Sequence, residues 1–289
     1  AFYQELTSSG YIDTAVVEAR REVDRRDPSH SEWVIPVLYL QSKDPRLFRP
    51  VASSHAGLHS ITSPFFTGGR INEPELFFGR QRIVREICAE LRKGCSVSIV
   101  GDSQIGKSSL LYYLYQTRAD WLPRGTIEYI DLQCVLDEAD FCETVLRKVG
   151  ESGDSLRDLK RALASREIIL LLDEVERLAE DDFNPRLHDL LRSLAQEPHF
   201  AMCLATERPL VDLFPARTPG GVSPFHNIFT VKTLGPFTES EARSLIADRL
   251  ANTHVTFTER EIERLLTTSH YHPARLQAEA KALFEVKMP

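Results

Sequence analysis

The chemistry in this chain is concentrated in two short stretches. In the first, Gly101-Asp102-Ser103-Gln104-Ile105-Gly106-Lys107-Ser108 satisfies the pattern G-x-x-x-x-G-K-[ST]. A loop of this kind cradles phosphate. Its backbone N–H groups, with those of Lys107, Ser108 and Ser109 at the head of the next helix, point at phosphate oxygens and carry the positive end of the helix dipole. Glycines at 101 and 106 permit the tight turn and the close approach. The spacing assigns Lys107 to the β- and γ-phosphates of a purine nucleoside triphosphate, and the Ser108 hydroxyl to Mg²⁺. With glycine at about 7% of residues, an accidental match in such a chain has a probability on the order of 1%.

The second stretch is Ile168-Ile169-Leu170-Leu171-Leu172-Asp173-Glu174. Its apolar residues read as a strand buried on both faces, which delivers the acids to its C-terminal edge, where ligands bind in open α/β sheets. Asp173 is expected to hold Mg²⁺ through water beside Ser108, and Glu174 to orient or deprotonate an attacking water. An Asp-Glu pair after a strand also serves as a helix cap; the phosphate loop upstream favours the catalytic reading. Two further polar residues fit the same chemistry. Thr206, at the end of the apolar run 200–205, is a candidate γ-phosphate contact or part of a turn before Pro209. Arg275, just after Pro273, is a candidate sensor of domain closure or a solvated surface arginine.

These residues need a scaffold. The order read from residue 73 onward is helix 80–93, strand 96–100, helix 107–118, strand 126–132, helices 139–150 and 155–164, strand 168–172, helix 184–195 and strand 200–205. Strands separated by helices imply parallel βαβ units and a three-layer α/β sandwich. From about 235 the pattern is helical only. Thr238 with Glu241 and Thr258 with Glu261 have capping-box spacing, and Pro273 suits the first turn of a last helix ending near 284. The expected organisation is a core over 73–234 followed by a small all-α lid over 235–289. Ahead of it, 49–72 is rich in Ser, Pro, Gly and Thr and reads as a linker, with Pro64-Phe65-Phe66 a candidate anchor. Residues 1–48 hold two helical patterns and the strand-like run Trp33–Leu40, too little to bury a core alone.

Composition narrows the classes. The chain has 289 residues, 42% hydrophobic and 27% charged, the balance of an ordinary globular protein. No apolar run approaches the roughly 18–20 residues that span a bilayer. The net charge of −7 gives no basic footprint for nucleic acid as a whole. Five scattered cysteines, none in a CxxC pair, argue against a disulfide framework or a zinc site and for a reducing cytoplasm. The start at Ala1, already within a helical pattern, suggests a piece of a longer protein.

Taken together, these motifs resemble the STAND class of P-loop ATPases, relatives of the AAA+ and replication-initiator ATPases. The likeness runs from about Pro64 to Ala282. It rests on Phe77-Phe78-Gly79-Arg80 ahead of the first core helix, on GDSQIGKSSLL, on LLLDEVERL and on LGPFTESEA at the head of the helical part. PFFTGGRINEPELFFGR looks like the opening of bacterial STAND modules. The resemblance implies ATP/ADP and Mg²⁺ as cofactors and places Phe78, Gly79 and Arg80 over the adenine and ribose. One departure is visible: where the family commonly has Gly-His-Pro, this chain has Tyr271-His272-Pro273. Residues 1–48, with AFYQELTSSGYIDTAVVEARREV and WVIPVLYL, look like the C-terminal end of a CHAT domain, a caspase-like fold whose catalytic His and Cys lie upstream. No peptidase activity is then expected of this chain alone.

The resemblance implies a slow, ATP-driven regulatory switch of a bacterial signalling, defence or cell-death protein. It would act on a protein partner or through nucleotide-dependent self-association, without membrane or nucleic acid. A nucleic-acid-dependent ATPase of initiator or loader type is the alternative, opposed by the acidic balance. A small-molecule phosphotransferase is a third reading, opposed by the Asp-Glu pair, which favours water as nucleophile.

Overall fold

In the computed structural model, which describes residues 63–122, 125–164, 166–215 and 224–288, the apolar runs form one parallel sheet. The chain divides after Ser60, and everything described lies in the second unit. The expectations for residues 1–48, including the CHAT-like end, and for most of the linker fall outside the described residues.

The strands are β1 Ser96–Val100, β2 Thr126–Asp131, β3 Ile168–Asp173, β4 Phe200–Thr206 and β5 Phe229–Thr233, in the spatial order β2-β3-β4-β1-β5. Ahead of β1 runs α1 Gln81–Leu91, and between the strands run α2 Lys107–Gln116, the short α3 Arg118–Trp121, α4 Glu138–Lys148, α5 Leu156–Leu163, α6 Pro185–Leu194 and the short α7 Leu210–Leu213. The sheet is sandwiched because its strands are apolar on both faces. In β3, Ile168, Leu170 and Leu172 join one core with Phe141, Leu159 and Leu187 from α4, α5 and α6. The intervening Ile169 and Leu171 join another with Ile87 of α1 and Leu110, Leu111 and Leu114 of α2. Period-two alternation of a wholly apolar strand thus builds both outer layers. The helix starts are chemically marked: Asp137 and Ser155 accept backbone N–H bonds at the heads of α4 and α5, as does Asn184 ahead of Pro185 in α6.

The structure adds β5, which the sequence reading passed over. It pairs parallel to β1, Ser96 to Val100 opposite Phe229 to Thr233, at the sheet edge. Only Phe229 of its residues is buried, so it lacks the apolar run that marks the central strands. The helix expected over 107–118 is interrupted at Thr117, whose hydroxyl donates to Tyr113 O at 2.8 Å.

Beyond the sheet come α8 Glu239–Leu250, α9 Glu259–Ser269 and α10 Pro273–Lys287. Both capping boxes form, Thr238 with Glu241 and Thr258 with Glu261. Leu245, Ile246, Leu265, Leu266, Leu276 and Phe284 make a separate core. Phe65 belongs to it, 4% exposed and with its ring 6.3 Å from that of Phe284. Residues ahead of the sheet therefore pack on the helical part that follows it.

Tyr271 stands in the left-handed region at φ 59°, directly after His270 at φ 51°. Tyrosine here keeps the turn that glycine makes freely, at a strain of roughly 1–2 kcal/mol. The turn then lets Tyr271 O accept from Phe237 N at 3.0 Å.

Candidate functional site

The loop between β1 and α2 is shaped by its two glycines in different ways. A Cβ at Gly101 would stand 2.5 Å from Leu234 O, so only glycine fits. At Gly106 there is free space but φ is 102°, a conformation L-residues rarely adopt. Gly106 caps α2, whose first residue is Lys107, and the N-terminal amides of that helix face the cavity. Lys107 is buried, and its Nζ donates to Gly101 O and Asp102 O, each at 2.9 Å. Those carbonyls hold the ammonium at the loop, where phosphate oxygens are the natural replacement.

Opposite the loop, Asp173 ends β3 and Glu174 follows it, one strand removed from β1 across β4. Asp173 is 2% exposed. Burial pushes its carboxyl above the usual range, against hydrogen bonds from Tyr129, Ser108 and the Glu174 amide. Tyr129 donates its hydroxyl proton to Oδ2 at 2.7 Å, and the Glu174 N–H reaches Oδ1 at 3.2 Å. Asp173 makes no salt bridge among the described residues. A buried carboxylate in hydrogen-bond contact with a serine hydroxyl, and without a paired cation, is a donor set suited to Mg²⁺, which prefers oxygen ligands. Glu174 has φ 56° and ψ 51°, a strained backbone of the sort concentrated at functional sites. Its carboxyl is also raised, by burial and then by Asp173 and Glu176, with Lys107 opposing.

Loop and acids border one cavity of about 820 Å³, within the range that takes a nucleotide. Ser103 to Ser109, Asp173 and Glu174 form one end of its lining; Phe78, Arg80, Phe237, Leu245, Arg249 and Gln277 also line it. Gly79 (φ 68°) and Arg80 (φ 66°) turn the chain sharply. Arg80 N donates to Glu241 Oε1 at 2.9 Å, and its guanidinium lies 4.6 Å over the Phe237 ring. The capping glutamate of α8 therefore anchors this turn to the helical part. A second tie is His272, whose Nε2 donates to Ser103 O at 3.2 Å. Burial holds its imidazole below the ordinary pKa, against the bond to Ser103.

The expected residues divide by position. Lys107, Ser108, Ser109, Asp173, Glu174, Phe78 and Arg80 line the cavity together with Ser103, Gln104, Ile105 and Gly106. Gly101, Asp102 and Gly79 shape the turns beside it. Thr206 is fully buried at the end of β4, its carbonyl accepting from Gly101 N at 3.2 Å. Its hydroxyl finds no partner among the described residues, and the neighbouring Glu207 lines the cavity instead. Arg275 is exposed near His272 and does not line the cavity. Sequence reasoning gave no role to Arg70, although it lies within PFFTGGRINEPELFFGR, nor to Tyr129, Glu207 and Arg249.

A parallel sheet in this order, with a phosphate loop after β1 and an Asp-Glu pair after β3, defines the chain as a P-loop NTPase of α/β architecture. Residues 70–285 match the family model described as Novel STAND NTPase 1. The chain belongs to that family. Among solved structures it is similar to the Walker-type ATPase PABY2304 of Pyrococcus abyssi, with TM-score 0.58 and 18% identity over 75% of this chain and 70% of that one. It is also similar to the Aeropyrum pernix ORC1 protein in complex with DNA, with TM-score 0.53 and 15% identity over 74% and 62% of the two chains. The Aeropyrum pernix ORC2 protein, in ADPNP-ADP complexes, gives TM-score 0.51 and 15% identity over 78% and 64%. The chain thus spans less than two thirds of either ORC protein, and these identities speak for the fold alone. No curated protein matches the sequence. Among the described residues no helix is long and apolar enough to cross a membrane.

Proposed function

We propose that this chain binds ATP with Mg²⁺, hydrolyses it slowly, and uses the nucleotide state to set the helical part, residues 235–289, against the core, residues 73–234. The observation that carries the reading is the tie between phosphate loop and helices: His272 of the helical part bonds the carbonyl of Ser103 within the loop. A ligand that fills the loop must act on that bond. In this reading Lys107 bridges the β- and γ-phosphates, and Ser108 and Asp173 hold Mg²⁺, which supplies charge neutralisation for the phosphates. Glu174 orients or accepts a proton from the attacking water. Thr206, buried at the end of β4, supports the loop through its carbonyl, Arg275 swings in as the helices close, and Phe78 to Arg80 cover adenine and ribose. The strained backbone and raised carboxyl of Glu174 support its assignment as a base.

The module then acts in the cytoplasm of a bacterial signalling, defence or cell-death system. Through the CHAT-like segment it reports nucleotide state to a protease-like effector, by way of a protein partner or self-association. The DNA complex of the A. pernix ORC1 protein supports a second reading, a nucleic-acid-dependent ATPase. The net charge of −7 opposes it.

The test is ATP and ADP binding to the 289-residue chain with Mg²⁺, together with phosphate release. Lys107→Ala is expected to lose binding. Glu174→Gln should keep binding and lose about 10²–10⁴-fold in turnover, the contribution of a positioned base. Undiminished binding in Lys107→Ala, or undiminished turnover in Glu174→Gln, refutes the assignment. Tight duplex binding at low salt that stimulates hydrolysis would favour the second reading.

A further inference from the structure

Asp173 is held from an unexpected direction. The Tyr129 hydroxyl that donates to Oδ2 at 2.7 Å itself accepts from Arg70 Nη1 at 2.6 Å. The direction of this chain is fixed by chemistry, because a guanidinium only donates and an ionised carboxylate only accepts. Arg70 also lies 4.0 Å over the Tyr112 ring, which fixes its plane. It belongs to a segment joining both sides of the cavity. At one end Phe66 N donates to Gln277 Oε1 of α10, and at the other Ile71 N donates to Ser109 Oγ of α2, each at 3.0 Å.

We propose that Tyr129 is a positioning residue for the metal-binding carboxylate of Asp173, and that Arg70 locks it there, so that docking of residues 66–71 and divalent-cation binding are one coupled event. The proposal rests on the functional reading above. Tyr129 and the Glu174 amide engage Oδ2 and Oδ1 of Asp173, which sets the carboxylate plane; the Ser108 hydroxyl, also bonded to Asp173, stands where a cation would be shared between the two. Partners of metal ligands orient them in this way and tune their affinity.

The phenol also insulates. The guanidinium is one oxygen atom away from Asp173. Without that oxygen it would pair with the carboxylate directly and cancel the charge a cation needs. Tyr129→Phe should therefore harm cation binding more than Arg70→Ala, and removing Arg70 as well should partly restore it. A packing role for the tyrosine ring predicts no such rescue, since phenylalanine keeps the ring.

The experiment is a Mg²⁺ titration of ATP binding to the whole chain, with metal-free ADP binding measured alongside. In Tyr129→Phe the Mg²⁺ concentration for half-maximal effect is expected to rise about 10–100-fold, with metal-free ADP affinity unchanged. Arg70→Ala in the same chain should recover part of the loss. Amide exchange at Phe66 and Ile71 should slow on adding Mg²⁺-ATP to the wild type and respond less in Tyr129→Phe, because coupling between sites is reciprocal. An unchanged Mg²⁺ requirement, a double variant no better than Tyr129→Phe, or loss of metal-free ADP binding overturns the proposal. A wild-type chain that binds no nucleotide overturns the functional reading itself.

Discussion

Replacing Gly101 by alanine tests whether the phosphate loop is held by contact or by conformation. The added Cβ would meet Leu234 O at 2.5 Å and Ile105 Cγ2 at 3.0 Å. Carbon–oxygen contacts settle near about 3.3 Å, so a displacement of roughly 0.8 Å is needed. Neither side yields easily. Leu234 N donates to Val100 O at 2.8 Å and its side chain is 2% exposed in the α1/α2 core. Gly101 N is bonded to Thr206 O. Backbone against backbone belongs to the upper part of the 1–3 kcal/mol of overpacking, about 2–3 kcal/mol. At about 2–4 °C per kcal/mol for a unit of this size, Tm falls by roughly 4–12 °C. The control is Gly106→Ala, where nothing stands within 4 Å of the new Cβ and the φ of 102° alone costs about 1–2 kcal/mol. Shortening Ile105 to valine should not rescue Gly101→Ala, because the closer contact is to a carbonyl. Thermal unfolding of the variants without nucleotide measures this directly. A Gly101→Ala chain melting with the wild type, while Gly106→Ala melts lower, would refute the close-approach argument.

Two other outcomes follow from the same structure. His270 is an exposed C-cap of α9 at φ 51°, so His270→Gly should relieve left-handed strain and raise stability by up to about 1 kcal/mol, read as a higher urea midpoint. The raised carboxyls of Asp173 and Glu174 give a pH dependence of opposite sign with and without metal. In its absence their contribution to stability is complete below the ordinary carboxylate range and declines as pH rises through their raised folded-state values. Cation binding needs Asp173 ionised, so Mg²⁺ affinity should rise over the same interval. A Mg²⁺ affinity that is flat with pH there would contradict the burial argument.

Most of the phosphate end was legible because its residues are contiguous and their backbone does the work. A loop of fixed spacing after an apolar strand carries its own geometry, and β3 needs only its run of Ile and Leu to bury Asp173 at the sheet edge. The capping boxes of α8 and α9 were legible for the same reason, each being complete within four residues. β5 was not, because an edge strand exposes most of its side chains and its pairing with β1 is decided by the chain around it. Tyr271 shows the opposite case: the loss of glycine in sequence left the turn in place, the strain being borne by the packing and by the bond from Phe237 N to its carbonyl.

The chain Arg70–Tyr129–Asp173 could not be read from the sequence, and the reason is topological. Its members stand 59 and 44 positions apart and come from the segment before α1, from β2 and from β3. Tyr129 reads as one more aromatic residue on a strand, and Arg70 as one more charge in a glycine-rich stretch. What joins them is the parallel register that sets Tyr129 opposite Leu171 and Asp131 opposite Asp173, together with the anchoring of Phe65 among the helices that follow the sheet. Phe65 and Ile71 are pinned to different parts of the fold, so the intervening segment has little freedom to carry Arg70 elsewhere. The Asp173 carboxylate is thereby tied to residues 66–71, ahead of α1. In the proposed coupling, a nucleotide-dependent change at Asp173 reaches Arg70 through Tyr129.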